Sequence, residues 1–168
     1  MDSLIVYYSL DKYLPLIAQI MSSTLNTQCC EIREILQTPG IIKKLKSYLN
    51  IKENILPISQ PLYNKKSVVV LTPLLKNSII PAAVVSFFKQ YELSNKTLSL
   101  ILCYKDKSKF SENMFLARLE DLNVKCQNTI ILNINEKTMN AIKNFDIKFI
   151  LNNDNVLQLQ DPQNINTI

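Results

Sequence analysis

Short apolar runs alternate along the chain with segments in which apolar residues recur at helical spacing. Residues 4–8 are Leu-Ile-Val-Tyr-Tyr, a continuous β-prone run that is typical of a strand buried on both faces. After a short turn, apolar residues recur in steps of three, one, three and four, which predicts a helix beginning near Asp11–Tyr13. Pro15 fits this start, because proline is tolerated in the first turn of a helix and not deep inside one.

The same alternation continues through four further units. The further predicted strands are Gln28–Arg33, Ser67–Thr72, Leu98–Tyr104 and Val124–Asn133. The further predicted helices are Ile41–Leu49, Pro81–Tyr91, Phe110–Leu122 and Glu136–Phe145. The helix at 41–49 is expected to be amphipathic, with Ile41, Ile42, Leu45 and Leu49 on one face and lysines on the other. Five strand–helix units predict an α/β, doubly wound sandwich with helices on both faces of a mostly parallel sheet.

The length of 168 residues predicts one domain with a sizeable core. We expect this domain to cover residues 1–150. Residues 151–168 are rich in asparagine, glutamine and aspartate, and they are expected to form a polar C-terminal tail that is loose or a marginal edge element.

Charge and residue usage exclude several classes of function. The formal net charge is +5, but the lysines fall in small groups without a nucleic-acid-binding motif, so solvated surface lysine is favoured and no nucleic acid is expected. There is no histidine, and the four cysteines form no C-x-x-C pair, so no metal site is predicted. The cysteines are interpreted as small buried residues of a reducing cytoplasm. No signal peptide and no apolar run of about 18 residues is present, which predicts a cytoplasmic protein without a membrane partner.

Two segments resemble flavodoxin-like proteins. Residues 4–9 (Leu-Ile-Val-Tyr-Tyr-Ser), a four-residue turn and then Ile17-Ala18 are similar to the family's opening strand, Y-S-x-T-G-N-T and a helix with I-A. Residues 68–73 (Val-Val-Val-Leu-Thr-Pro), followed by Pro81–Phe88, are similar to the family's strand, G-[ST]-P, aromatic loop and P-x-x-[VM]-x-x-F. The resemblance covers residues 3–146.

The resemblance implies a five-stranded parallel sheet of order 2-1-3-4-5 and FMN as a possible cofactor. It also implies electron transfer or oxidoreductase chemistry with a redox partner protein. An unknown protein partner is the alternative, and the oligomeric state stays open. The residues that it assigns to cofactor binding lie after the first, third and fourth strands: Ser9, Asp11, Lys12, Tyr13, Leu14, Thr72, Pro73, Leu74, Leu75 and Tyr104. It assigns no catalytic residue.

The chain departs from the family pattern at these same turns. Its one glycine is Gly40, whereas average usage of about 7% predicts roughly a dozen. The family's T-G-N-T corresponds to Asp11–Leu14, so two phosphate-binding hydroxyls are missing, and Leu71 replaces a family glycine. Asp11 either caps the helix or repels a phosphate, and Lys12 partly offsets that repulsion. We therefore expect FMN binding to be weak or lost.

We compared three other functions with FMN-dependent electron transfer, of which one stays open. The first is a flavin-free binding or regulatory module on the same scaffold. A phosphoacceptor receiver domain is disfavoured, because Leu71-Thr72-Pro73 stands where such a domain needs an aspartate. A Ser/His/Asp or Cys/His nucleophile is excluded by the lack of histidine.

Overall fold

Six strands form a single sheet in the computed structural model, which describes residues 2–36, 39–49, 51–75, 78–104, 111–134 and 156–159. The strands are β1 (Ser3–Tyr7), β2 (Gln28–Glu31), β3 (Ser67–Pro73), β4 (Thr97–Tyr104), β5 (Asn128–Asn133) and β6 (Val156–Leu159). Their order is β2-β1-β3-β4-β5-β6. The first five strands pair in parallel, which confirms the predicted 2-1-3-4-5 sheet, and β6 adds an antiparallel edge beside β5.

Four helices connect the strands in the described part of the chain. They are α1 (Tyr13–Thr24), α2 (Gly40–Tyr48), α3 (Ala82–Gln90) and α4 (Glu112–Asp121). None of these described helices is long and apolar enough to cross a lipid bilayer. The helix predicted at Glu136–Phe145 lies outside the described residues. The domain boundary after residue 150 stays a prediction, although β6 shows that part of the polar tail joins the sheet as an edge strand.

The sheet separates two apolar layers, because successive side chains of a strand point to opposite faces. On one face, α1 buries Leu14, Ile17 and Ala18 against residues of β1, β3 and β4. On the other face, α3 and α4 bury a larger cluster that includes Phe87 and Phe115. The adjacent cysteines of β2 follow the same alternation, as expected: one packs against the α1 layer and the other lies in the larger cluster.

Asparagine and serine take the backbone conformation that glycine usually supplies. Asn26, Ser78 and Asn123 have φ values of 47°, 56° and 52°. Asn26 and Asn123 follow the ends of α1 and α4, where a left-handed residue lets the next N–H groups bond back to the last turn. Asparagine tolerates a positive φ better than most residues other than glycine. These two turns therefore form without a glycine.

Helix α2 does not follow the usual arrangement of an amphipathic helix. Its apolar side chains are exposed, with Ile41 at 85% and Leu45 at 57%. Among the α2 residues whose side chains are described, Ser47 alone is buried. The face that carries Lys43 and Lys46 therefore lies towards the protein, and the apolar face lies towards solvent.

Candidate functional site

The carboxyl ends of β1 and β3 mark the place where ligands bind in open α/β sheets. The chain leaves β1 towards β2 on one side, whereas β3 and the later strands extend the sheet on the other. Ligands bind outside such a reversal of strand order. The two strand ends are joined directly, because the N–H of Tyr8 donates to the carbonyl of Leu71 at 3.0 Å.

The loop after β1 is closed by hydrogen bonds within itself. The hydroxyl of Ser9 donates to the Asp11 carbonyl, and the Asp11 N–H donates to Ser9 Oγ at 3.2 Å. The N–H of Tyr13, the first residue of α1, donates to Asp11 Oδ1 at 2.9 Å. Lys12 lies between them, with Nζ 5.7 Å from the centre of the Tyr13 ring. A carboxylate of the chain itself thus accepts the first N–H of the helix.

The next two residues of α1 offer little to an anion. Leu14 is buried in the core layer between α1 and the sheet, so its side chain belongs to the core rather than to the loop. Pro15 has no N–H to donate. Because Asp11 already accepts the N–H of Tyr13, at most the N–H of Leu14 is left to a ligand within the first three helical residues.

The loop after β3 is also tied down by backbone hydrogen bonds. Thr72 is buried, and its hydroxyl donates to the Pro73 carbonyl at 3.2 Å. The N–H of Leu74 donates to the Cys103 carbonyl at 2.7 Å, and the N–H of Leu75 donates to the Ile79 carbonyl at 3.0 Å. These bonds hold the loop between the ends of β3 and β4.

Ser78 is a positioning residue that the sequence pattern did not single out. It is buried, and its Oγ accepts the N–H of Ser111 at 2.7 Å, which links the loop after β3 to the start of α4. The only sequence signal is the polar triplet at 76–78 between two apolar runs, which indicates a turn but not this contact. Two of the three ligand-side turns are therefore joined through one hydroxyl.

The end of β4 places Tyr104 and its neighbour on opposite faces of the sheet. Tyr104 is only 7% exposed and belongs to the core cluster on the α3 and α4 side, and burial raises the pKa of its hydroxyl. Cys103 lies in the α1 layer, where burial and, to a smaller extent, the Asp11 carboxylate raise the pKa of its thiol. The structure therefore encloses Tyr104 in the core, on the face of the sheet opposite to Cys103. Residues 105–110 of the third turn lie outside the described residues.

A buried polar contact behind the crevice was also missed from the sequence. Tyr8 OH donates to Glu34 Oε1 at 2.5 Å, and Glu34 Oε2 lies 2.7 Å from Lys43 Nζ. Burial, followed by the Glu34 carboxylate, raises the pKa of Tyr8. Glu34 is thus an enclosed carboxylate, with a side chain that is only 8% exposed. Nothing in the spacing of these residues marks the contact.

All ten residues assigned from the resemblance lie in the described part of the chain, and their role in binding a cofactor stays a prediction. Those after β1 and β3 line the same edge of the sheet, at strand ends that pair directly. Leu14 and Tyr104 are instead core residues in this structure.

Comparison with known proteins gives a match in structure alone. No family model matches the chain, and no curated protein matches its sequence. A candidate flavoprotein from Bacteroides eggerthii has a similar structure, with a TM-score of 0.61, 16% identity and coverage of 89% of this chain and 97% of the other. A second candidate flavoprotein, from Bacteroides uniformis, gives a TM-score of 0.60, 13% identity and coverage of 86% and 96%.

A third similar structure is a flavoprotein from Lactobacillus acidophilus in complex with FMN. Its TM-score is 0.53 at 12% identity, over 84% of this chain and 98% of that chain. At these identities the likeness shows the fold. Together with the observed strand order, it shows that this chain has the flavodoxin-like fold.

Proposed function

We propose that this chain is a flavodoxin-like protein related to FMN-binding electron-transfer proteins, with a phosphate site so altered that FMN is bound weakly or not at all. The fold supports the relationship, and one similar structure holds FMN. The hydrogen bond from the Tyr13 N–H to Asp11 Oδ1 carries the proposal of an altered site. A cytoplasmic location and a redox partner protein belong to the same proposal.

The start of α1 does not fit a flavin phosphate. A helix amino terminus normally attracts an anion through its dipole and its unpaired N–H groups. Here the Asp11 carboxylate accepts one of those groups. A second unit negative charge about 4 Å away would be repelled by roughly 4 kcal/mol at an effective dielectric constant of about 20. A charge-assisted hydrogen bond contributes only about 1.5–3 kcal/mol, so one remaining N–H does not offset the repulsion.

Lys12 is a nearby cation that opposes this effect. Its Nζ lies 5.7 Å from the centre of the Tyr13 ring, so the charge is held close to the start of the helix. It neutralises part of the Asp11 charge, which is why weak binding of FMN is included in the proposal.

A second candidate function is a flavin-free binding or regulatory module. The burial of Tyr104 favours it, because the aromatic side chain that would stack on a flavin ring is enclosed in the core. The loop after β3 offers Leu74 and Leu75 in place of an aromatic residue. The crevice would then take a ligand or partner without a flavin ring.

The test is a fluorescence titration of the full chain with FMN and, separately, with riboflavin, which has the same ring and no phosphate. The wild-type chain is expected to bind FMN no more tightly than riboflavin. Asp11→Thr restores a hydroxyl of the family loop and is expected to strengthen FMN binding at least about tenfold, equivalent to 1.4 kcal/mol, without changing riboflavin binding.

Asp121→Asn is the matched control, because it removes one carboxylate at the exposed far end of α4. It is expected to change neither affinity. Wild-type protein that binds FMN about a hundredfold more tightly than riboflavin would contradict the altered site. If neither flavin binds the wild type or Asp11→Thr, the flavin-free module becomes the better description.

A further inference from the structure

The outward face of α2 carries a row of exposed apolar side chains. Ile41, Leu45 and Tyr48 recur along the helix at steps of four and three, and each is more than half exposed. Ile42 and Leu49 extend the same surface and are also exposed. A helix on a globular protein normally turns such a stripe towards the core.

Polar contacts hold α2 in this orientation. Lys43 Nζ lies 2.7 Å from Glu34 Oε2, and Lys46 Nζ lies 2.8 Å from Glu53 Oε2. Ser47 Oγ accepts the N–H of Ala82, the first residue of α3, at 2.9 Å. Because the Glu34 and Glu53 side chains are almost fully enclosed, turning the apolar face of the helix inward would separate two buried carboxylates from their lysines.

The apolar surface continues beyond the helix into the segments that flank it. The ion pair between Glu34 and Lys43 places the segment before α2 beside the helix, and the N–H of Ile51 donates to the Lys46 carbonyl at 2.9 Å, which holds the following segment at its carboxyl end. The N–H of Ile35 donates to the Asn54 carbonyl at 2.9 Å and joins the two segments. We call the whole surface the α2 patch. Its members are Ile35, Leu36, Ile41, Ile42, Leu45, Tyr48, Leu49, Ile51 and Leu56.

The size of the α2 patch exceeds what monomeric proteins usually expose. From their exposed fractions, the nine residues present on the order of 900 Å² of surface, most of it apolar, against roughly 300–600 Å² for the largest patch of a typical monomer. A standard protein interface buries about 800 Å² on each partner. The α2 patch is therefore large enough for a stable interface.

The charges around the patch indicate which partner fits it. A membrane-binding helix keeps free lysines beside its apolar face to meet anionic lipid. The α2 lysines whose ion pairs are described, Lys43 and Lys46, are instead turned inward and neutralised by glutamates. In a twofold dimer each patch meets a copy of itself, so unpaired like charges would repel one another. Because these two ion pairs draw the charges of Lys43 and Lys46 away from the apolar face, the described α2 side chains leave that face suited to a second copy.

We propose that the α2 patch is the interface of a symmetric homodimer in which α2 of one protomer packs against α2 of the other. Tyr48 supplies a large amphipathic side chain of the type that anchors interfaces. The dimer does not depend on flavin binding, so its test is independent of the test of the proposed function.

The test is the mass of the full chain in solution, measured by sedimentation velocity over a wide range of protein concentration. The wild type is expected at twice the 19.3 kDa chain mass. Leu45→Glu places a carboxylate from each protomer in the interface and is expected to weaken dimerisation at least about 100-fold. Leu25→Glu is the matched control, because Leu25 is 58% exposed against 57% for Leu45 and lies at the end of α1 on the other face of the sheet.

A mixing experiment tests the twofold symmetry. Leu45→Glu and Leu45→Lys are each expected to be monomeric, and an equimolar mixture is expected to form a heterodimer because opposite charges then meet. Circular dichroism melts check that both variants are folded. Wild-type protein that stays monomeric overturns the proposal, whether or not it sediments with anionic vesicles. A dimer that survives both substitutions at residue 45 also overturns it, and a mixture that stays monomeric overturns the symmetric arrangement.

Discussion

Helices α1 and α2 carry apolar side chains at the same helical spacing, yet α1 turns them towards the sheet and α2 turns them towards solvent. Ile17 of α1 is 1% exposed, whereas Leu45 of α2 is 57% exposed. The difference follows from charge. Helix α1 contains no charged residue, so only its apolar stripe decides how it packs. Helix α2 carries lysines that pair with two enclosed glutamates.

The comparison shows that an apolar stripe defines one face of a helix without defining what that face meets. Once Glu34 and Glu53 are enclosed, the lysines must follow them inward, because an unpaired buried charge costs more than exposed leucine surface. The apolar stripe of α2 is then free for another protein surface.

The largest expected effect is the difference in stability loss between substitutions in the apolar faces of α1 and α2. Ile17→Ala is expected to lower the free energy of unfolding by about 2–5 kcal/mol, because it opens a cavity in the α1 layer. Leu45→Ala is expected to change it by less than about 0.5 kcal/mol at protein concentrations where the chain is monomeric. Urea unfolding measures both. Equal losses for the two variants would mean that the α2 stripe is buried within the monomer.

Alkaline pH is expected to weaken the sheet through its buried thiols, one on each face. Burial, followed by the charge of Cys29, raises the pKa of Cys30 to about 11 from the usual 9.0, and burial raises that of Cys103 on the α1 side. Between pH 9 and 11 the unfolded chain releases a proton that folded Cys30 retains, so stability is lost as the pH rises. Each retained proton corresponds to about 1.4 kcal/mol per pH unit.

Unfolding curves of the wild type and Cys30→Ala at several pH values test this effect. At pH 7 the difference in the free energy of unfolding between wild type and Cys30→Ala measures the packing of the Cys30 side chain. A change in that difference towards pH 11 measures the titration of the Cys30 thiol. The wild type is expected to lose on the order of 2 kcal/mol more than Cys30→Ala over that range. If the free energies of unfolding of the two proteins fall with pH in parallel, the pKa of Cys30 is not raised by folding.

The ion pairs behind α2 are expected to contribute more than an exposed pair of the same chemistry. Glu34→Gln keeps an acceptor for Tyr8 but leaves Lys43 unpaired, and it is expected to cost about 1–2 kcal/mol, since Lys43 is partly solvated. Glu31→Gln removes the exposed partner of Arg33 and is expected to cost less than about 0.5 kcal/mol. Thermal or urea unfolding of both variants measures the contrast. Equal small costs would mean that the ion pairs do not determine the orientation of α2.

The smallest expected effect concerns the amino ends of the two helices. Asp11→Ala is expected to cost about 1 kcal/mol, because the carboxylate accepts the first N–H of α1. Asp11→Asn keeps an acceptor and is expected to cost only a few tenths of a kcal/mol. Helix α2 begins after Pro39 with no side-chain cap, so no residue there is expected to show this pattern. A larger loss for Asp11→Asn than for Asp11→Ala would contradict the capping role.

Most of the fold could be predicted because β1, β3 and β4 contain short, continuous apolar runs that only a sheet covered on both faces can bury. Prolines and turn residues then placed the helices, and α1 begins at Tyr13, within the predicted range. The orientation of α2 could not be predicted. It depends on its ion pairs, among them the one with Glu53 beyond its carboxyl end, and periodicity carries no information about such partners.

The site was predictable only in part. Asp11 could be placed at the amino end of α1, because a strand, a tight turn and a helical stripe follow one another along the chain. Its bond to the Tyr13 N–H is then a local consequence. The enclosure of Tyr104 and the bridge made by Ser78 depend on packing between α3, α4 and the sheet, which local spacing does not encode.

The flavin content of the freshly purified chain tests the central claim most directly. We expect far less than one flavin per chain in the visible absorption spectrum, because in the proposed function the Asp11 carboxylate repels a phosphate at the start of α1. One FMN per chain, retained through extensive dialysis, would contradict the account.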